Sequence, residues 1–297
     1  MKQIVPHLWF DKEARASAEF YVSVFPDSKI HSIQTIHGTP SGDCDVLSFE
    51  LWGQPFMSIS AGPIFTINPS ISFMVNFDPA QDPDALTRID EIWKKLSEGG
   101  KELMPIGEYP FSKRYGWIQD KYGVSWQLIL TKPEGEPRPP IMPFLLFTQA
   151  AAGKAEEATN LYLSLFKDAK RGGLARYPAG SEPDQEGTIM FTDFTLNNQW
   201  FVAMDSAHPH AFAFNEGISL MVPCETQEEI DYYMNGLSAV PAAERCGWIK
   251  DKYGISWQII PANMSELMKG KDEAETNRKT QAMLKMRKID IEGLKNA

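Results

Sequence analysis

The chain has 297 residues, 43% apolar and 23% charged, the balance of an ordinary globular protein, which excludes disordered and fibrous classes. At roughly 150 residues per domain, that length suggests two domains. Lys and Arg number 29 against 39 Asp and Glu, a formal net charge of −10 that argues against nucleic acid or an anionic membrane as the main partner.

No apolar run approaches the ~20 residues of a membrane helix. The opening MKQIVPHLWF enters a strand-like pattern without the apolar stretch of a signal peptide. Cys44, Cys224 and Cys246 form no C-x-x-C pair, which suits a reducing cytoplasm.

In chain order, a short apolar strand is expected over residues 3–10. A helix follows with Asp11 as N-cap, and Ala14, Ala18, Tyr21, Val22 and Phe25 mark its buried face. Strands are expected near 29–36, 45–52 and 55–60, the last two parted by the turn Trp52-Gly53-Gln54-Pro55. The series then restarts with a strand at 71–78 and a helix from Asp82-Pro83 to Gly99-Gly100, with Leu86, Ile89, Trp93 and Leu96 as its apolar stripe. Strands near 114–120 and 124–131 close this half.

The second half repeats the first. Gly116-Trp117-Ile118-Gln119-Asp120-Lys121-Tyr122-Gly123-Val124-Ser125-Trp126-Gln127 matches Gly247-Trp248-Ile249-Lys250-Asp251-Lys252-Tyr253-Gly254-Ile255-Ser256-Trp257-Gln258. Only Gln119/Lys250 and Val124/Ile255 differ. Three weaker matches keep the same order: 5–10 with 142–147, 20–25 with 161–166, and 71–75 with 218–222. The repeat sets the expected organisation: a domain at 1–131, a proline-rich and fairly stiff linker at 132–140, a second domain at 141–261 and a helical tail at 262–297. Thr226 and Glu229 make a capping box at the fourth helix. Met283, Leu284, Met286, Ile289, Ile291 and Leu294 give the tail an apolar side that suits docking onto the body.

The order strand–helix–strand–strand–strand, four times over, resembles the vicinal-oxygen-chelate (glyoxalase/bleomycin-resistance/dioxygenase) superfamily. Within it the chain resembles the PhnB-like family. The carrying residues are Leu8-Trp9-Phe10-Asp11, the S-A-E-F-Y-V-S-V-F-P run at 17–26, the run from Cys246 to Pro261, and the tail segment 282–291. The resemblance implies an α+β fold with two tandem glyoxalase-like domains, each of two βαβββ units forming a curved mixed sheet around a pocket, plus a C-terminal helical tail. It also implies that metal ligands, where members carry them, fall near His7 on a first strand and near Gln127 and Gln258 on last strands. Phe144 stands at the His7 position of the second half, and Ser72 and Ser219 occupy positions where some members carry another His. One His with neutral amides is short of charge and ligands, so no metal is expected. The family is often labelled 3-demethylubiquinone 3-methyltransferase, yet no G-x-G-x-x-G is present to cradle a methyl donor, so no cofactor is expected.

The pocket candidates are His7, Trp9, Trp117, Gln127, Asp205, Cys246, Trp248 and Gln258. Each has a plainer reading: His7 as a strand-end histidine, the tryptophans as sheet packing, Asp205 as a strand-end cap, Cys246 as an inert thiol. Asp120 and Asp251 read as turn residues, and His208-Pro209-His210 is a weak metal signal in a loop. Residues 104–113, which the second half lacks, would border one cavity mouth and make the two pockets differ, with at most one keeping the ancestral ligand. The leading reading is a cytoplasmic protein that binds a small apolar or aromatic metabolite without metal, its catalysis unassigned. The alternatives are a divalent-metal-dependent lyase, isomerase or dioxygenase, and a scaffold with closed pockets. The internal repeat further implies an intramolecular pseudo-dimer, with a homodimer open.

Overall fold

The computed structural model describes residues 2–39, 41–132, 134 and 136–297, so Pro133 and Gly135 of the expected linker lie outside the described residues. The first unit is β1 (Val5–Phe10), α1 (Ala14–Val24), β2 (Lys29–Thr39), β3 (Gly42–Leu51) and β4 (Gln54–Ser60). The second is β5 (Ile71–Phe77), α2 (Ala85–Ser97), β6 (Lys101–Tyr109), β7 (Ser112–Gln119) and β8 (Ser125–Leu130). The third is β9 (Ile141–Phe147), α3 (Ala155–Leu165), β10 (Lys170–Arg176), β11 (Ile189–Leu196) and β12 (Gln199–Asp205). The fourth is shorter: β13 (Ile218–Cys224), α4 (Gln227–Leu237), β14 (Trp248–Lys250) and β15 (Ser256–Pro261), followed by the tail helices α5 (Met264–Met268), α6 (Glu273–Lys285) and α7 (Ile291–Lys295).

The strands form two mixed sheets, and each sheet takes one unit from each half. The first runs β14-β15-β13-β1-β4-β3-β2 and the second β10-β11-β12-β9-β5-β8-β7-β6. The halves are therefore stitched along two antiparallel seams, β1 with β13 and β5 with β9. Within a half the two units instead share a core. Phe56 on β4 meets Phe73 on β5 at 4.9 Å, and Tyr21 of α1 meets Trp126 of β8 at 5.3 Å. Tyr162 and Trp257 repeat that contact at 5.2 Å in the second half. Alternation sends Leu8, Phe10, Leu220, Trp257 and Ile259 into this core and leaves His7, Trp9, Ser219 and Gln258 on the opposite face of the first sheet.

The repeated motif is built around its aspartate. Asp120 Oδ1 accepts from the backbone N–H of Tyr122 and Val124, while Oδ2 accepts from Trp126 Nε1. Asp251 does the same with Tyr253, Ile255 and Trp257, and also accepts from the Tyr162 hydroxyl at 2.6 Å. The side chain thus holds the turn and the core tryptophan together. The leading glycines are set by close approach. A Cβ on Gly116 would lie 2.5 Å from the Trp93 ring, and one on Gly247, at φ +82, would lie 2.7 Å from the Ile259 carbonyl oxygen.

Two local expectations change. Asp11 does not cap α1: the helix opens after Glu13 without a side-chain cap, and the Ala14 N–H is taken by Ser60 Oγ from β4. Thr226 does cap α4, accepting from Glu229 N–H, while the Glu229 carboxylate reaches Glu225 N–H, one residue beyond the usual reciprocal partner. The fourth unit has two strands after its helix because the segment that forms β6 and its turn in the second unit is missing. The tail fills part of that edge, where the N–H groups of Cys246 and Gly247 donate to the carbonyls of Met286 and Arg287. Ile289 and Leu294 are fully buried as the tail docks.

Candidate functional site

The expected pocket residues divide between the two sheets. On the first sheet, His7 stands opposite Ser219 across the β1–β13 seam, and Gln258 is the cross-strand partner of both Met221 and Trp248. Gln258 Nε2 donates to Ser219 Oγ at 2.9 Å. Trp248 meets the His7 ring edge-on at 5.9 Å and Trp9 at 6.1 Å, and Trp9 meets Phe65 at 5.0 Å. His7 is 5% exposed, its Nδ1 is sealed within the protein with no partner among the described residues, and burial lowers its pKa to about 4. It is therefore a neutral imidazole at physiological pH.

On the second sheet the same positions are Phe144, Ser72, Gln127 and Trp117. Gln127 Nε2 donates to Ser72 Oγ at 2.8 Å, and Gln127 Oε1 accepts from the Tyr115 hydroxyl at 2.8 Å. Trp117 Nε1 donates to Ser125 Oγ at 2.6 Å. Every polar group in this set is partnered. Beside it lies a small apolar cluster of Met74, Met142, Phe144, Leu146 and Val202, separate from the main core. A cavity of about 430 Å³ opens over Met74, Met142, Ile129 and Phe191, with Phe111 from the β6–β7 turn and Arg138 from the connecting segment at its edge. Arg138 is fastened there: its Nε donates to Asp193 at 2.8 Å and its guanidinium lies 3.7 Å above the Trp200 ring. Gly173 N–H holds the other Asp193 oxygen.

Asp205 belongs to neither pocket face. Its oxygens accept from Ala155 N–H and Ile189 N–H, so it caps α3 as Ser60 serves α1. Cys246 sits at the turn before β14 with φ +52, and burial raises its thiol pKa, which makes it a poor nucleophile at neutral pH. In the His208–His210 loop, His210 Nε2 meets Ser206 Oγ at 2.8 Å and His208 meets Asp184 at 3.4 Å, so the two rings engage different neighbours. Arg138, Asp193 and Trp200 were not visible as site residues, because nothing in the sequence ties a linker arginine to strands more than fifty residues on.

The residues present do not fit a divalent metal. His7 is accompanied by a hydroxyl and an amide, and among the described residues no three His, Cys, Asp or Glu side chains converge. They do not fit a methyl-donor cradle either, because the strand-to-helix connections after β1, β5 and β13 contain no glycine and the one after β9 contains Gly153 alone.

Comparison with known proteins gives a consistent picture. The family model described as 3-demethylubiquinone-9 3-methyltransferase matches twice, over residues 2–129 and 139–260. No curated protein matches the chain. Among solved structures, a PhnB protein from Bacillus cereus, described under the same methyltransferase name, is 37% identical over 44% of this chain and 100% of its own, with a TM-score of 0.39. Protein PA1353 from Pseudomonas aeruginosa is 20% identical over 44% of this chain and 98% of its own, with a TM-score of 0.38. Glyoxalase I from Zea mays is 12% identical over 89% of this chain and 93% of its own, with a TM-score of 0.50, a likeness of fold alone.

Proposed function

The chain belongs to the 3-demethylubiquinone-9 3-methyltransferase (PhnB-like) family, whose model it fills twice, and from that premise we propose that it is a small-molecule-binding protein acting without metal or methyl donor. The observation that carries this reading is the cavity of about 430 Å³ on the second sheet, within the ~300–1,000 Å³ range of ligand pockets. Its floor is methionine, isoleucine and phenylalanine, which favours an apolar ligand and adapts to its shape. At its mouth Arg138 is paired with Asp193 and Glu136, and Asp78, Lys132 and Glu134 also line the opening.

We read the two halves, 1–131 and 141–261, as the two lobes of an intramolecular pseudo-dimer, stitched at the β1–β13 and β5–β9 seams. Three free cysteines and the acidic charge favour the cytoplasm and disfavour nucleic acid, and among the described residues no helix is long and apolar enough to cross a membrane.

The uncharged fluorophore N-phenyl-1-naphthylamine tests this. Saturable binding is expected, weakened at least about tenfold, or about 1.4 kcal/mol, by Met142→Trp, which fills the floor. Arg138→Ala is expected to speed dissociation by releasing the segment at the mouth. Binding indifferent to M142W would place the probe elsewhere and end this reading.

A further inference from the structure

The repeat exchanges the two seams: β1 against β13 is the twin of β9 against β5, so the halves are related by a local two-fold axis. Bonds that cross between the halves can therefore be compared with their twins. Beyond the last residues of β1 and β9 the crossing is closed on both sides. Asn68 Nδ2 donates to the Ala213 carbonyl at 3.0 Å, and its twin Asn215 Nδ2 donates to the Thr66 carbonyl at 2.8 Å.

At the opposite end, where the chain enters β1 and β9, the crossing is left half made. Twin two-residue turns meet there, Trp52-Gly53 between β3 and β4 and Asn197-Asn198 between β11 and β12. All four residues have positive φ, the type I′ pattern that suits Asn and Gly. A tryptophan at φ +46 is costly in that place. Each turn is followed by a glutamine. Gln199 Nε2 donates to Gln54 Oε1 at 3.1 Å. The return bond is absent: Gln54 Nε2 donates to the Pro55 carbonyl at 3.0 Å, and Gln199 Oε1 is buried with no partner among the described residues. Gln199 is only 5% exposed, and a buried acceptor left unmade is costly and needs a reason.

There is room for the missing partner. A cavity of about 190 Å³ lies between the two turns, with Trp52, Trp200, Pro139 and Pro140 as walls and the Gln54 and Gln199 side chains on its lining. The walls are fixed from behind. Trp52 meets Phe77 edge-on at 5.7 Å, and the Arg138 guanidinium covers the Trp200 ring at 3.7 Å. Asn76 holds both prolines, donating from Nδ2 to the Pro139 carbonyl and from its N–H to the Pro140 carbonyl. Among the described residues no charged side chain lines the cavity, so an ion would lose its water there without a counter-charge. An apolar cavity of ~150 Å³ takes up benzene, which makes this one the size for a single ring with a small substituent. That substituent must donate to Gln199 Oε1 and can accept the second proton of Gln54 Nε2. A primary carboxamide does both, pairing with the glutamines as they would pair with each other. The terminal torsion of glutamine is soft, so the Gln199 oxygen can turn toward a donor without moving the chain.

We propose that this cavity is a binding site for a neutral, single-ring carboxamide, with Gln199 and Gln54 as its hydrogen-bonding residues and Trp52 and Trp200 as walls, so that one ligand spans both halves. The site lies apart from the apolar cavity of the second sheet and does not rest on that reading.

The probe is benzamide, with methyl benzoate as the same ring lacking the proton to donate and benzoate as its charged counterpart. Each is titrated calorimetrically into the parent protein and into the Met142→Trp variant, whose other cavity is filled. Saturable benzamide binding is expected in both proteins, at least about fivefold tighter than methyl benzoate, the worth of one hydrogen bond, with benzoate weaker still. Gln199→Leu keeps the bulk and removes the acceptor, and is expected to weaken benzamide at least about fivefold while leaving methyl benzoate unchanged. Gln3→Trp places an indole at the exposed rim of the cavity and is expected to weaken both neutral probes, with the melting temperature unchanged. An absence of saturable benzamide binding would mean that the cavity holds water alone, and overturns the proposal. So does benzamide binding that M142W abolishes, that shows no preference over methyl benzoate or benzoate, or that persists unaltered in a folded Q3W protein. N-phenyl-1-naphthylamine binding, which reports on the second sheet, is expected to survive both Q199L and Q3W, so loss of one site is distinguishable from loss of the other.

Discussion

Replacing Asp251 with alanine is expected to lower stability by about 4 kcal/mol. Four donors lose this acceptor at once: the N–H groups of Tyr253 and Ile255, Trp257 Nε1 and the Tyr162 hydroxyl. Each costs ~1–3 kcal/mol when left buried and unmade, so even the low end sums to about 4. Relief works the other way, because burial raises the Asp251 pKa and alanine removes that desolvation cost. The low end is therefore the appropriate figure. The twin supplies the comparison. Asp120 holds three of these contacts, while the buried Tyr21 hydroxyl has no hydrogen-bond partner among the described residues. Tyr162→Phe is accordingly expected to cost about 1.5–3 kcal/mol, the range for a hydrogen bond to a charged group. Tyr21→Phe is expected to change stability by less than about 0.5 kcal/mol. Urea midpoints at constant slope measure all of these. Equal losses for Y162F and Y21F would mean that the two aspartates are equivalent.

How far the sequence carries the fold is visible in this same motif. The D-K-Y-G turn announces itself, since aspartate binding its own backbone and glycine at positive φ leave few alternatives. The helix faces at Ala14, Ala18 and Tyr21 are equally plain from their spacing. Pairing between strands is not. Alternation states that a strand has two faces but says nothing of its neighbour, and four similar units offer many compatible edges. That β1 joins β13, and so brings His7 to Ser219, is a tertiary outcome. Asp205 shows the reverse difficulty. A carboxylate at a strand end reads as reactive or as a cap, and only the position of Ala155 N–H decides for the cap. Of the eight residues singled out as pocket candidates, His7, Trp9, Trp248 and Gln258 meet on one face and Trp117 and Gln127 on the other. Their latent pattern was the doubled motif, but their inequality depended on what replaced Tyr115 and Phe144 across space.

The His7→Phe substitution should change how the protein responds to acid. In the unfolded chain His7 takes up its proton near the ordinary pKa of 6.5, whereas burial delays this in the folded protein to about 4. Between those values the unfolded state binds more protons, so stability rises with pH: the contribution of His7 is intact above 6.5, falls progressively toward 4, and is constant below. Spread over that interval at ~1.4 kcal/mol per pH step, the loss is about 3 kcal/mol. Asp120 acts with the opposite sign. Burial raises its pKa from 3.8 to about 6, so its folded form gains a proton first and the cost of its buried charge is relieved as pH falls. Its effect is common to the parent and to H7F and cancels in their difference. The stability of H7F relative to the parent is therefore expected to grow by about 3 kcal/mol from pH 7 to pH 4, read from denaturant midpoints at each pH. At pH 7 the variant should be at least as stable as the parent, because phenylalanine removes an unpartnered buried nitrogen. Parallel pH curves for the two proteins would show that His7 protonates as freely folded as unfolded.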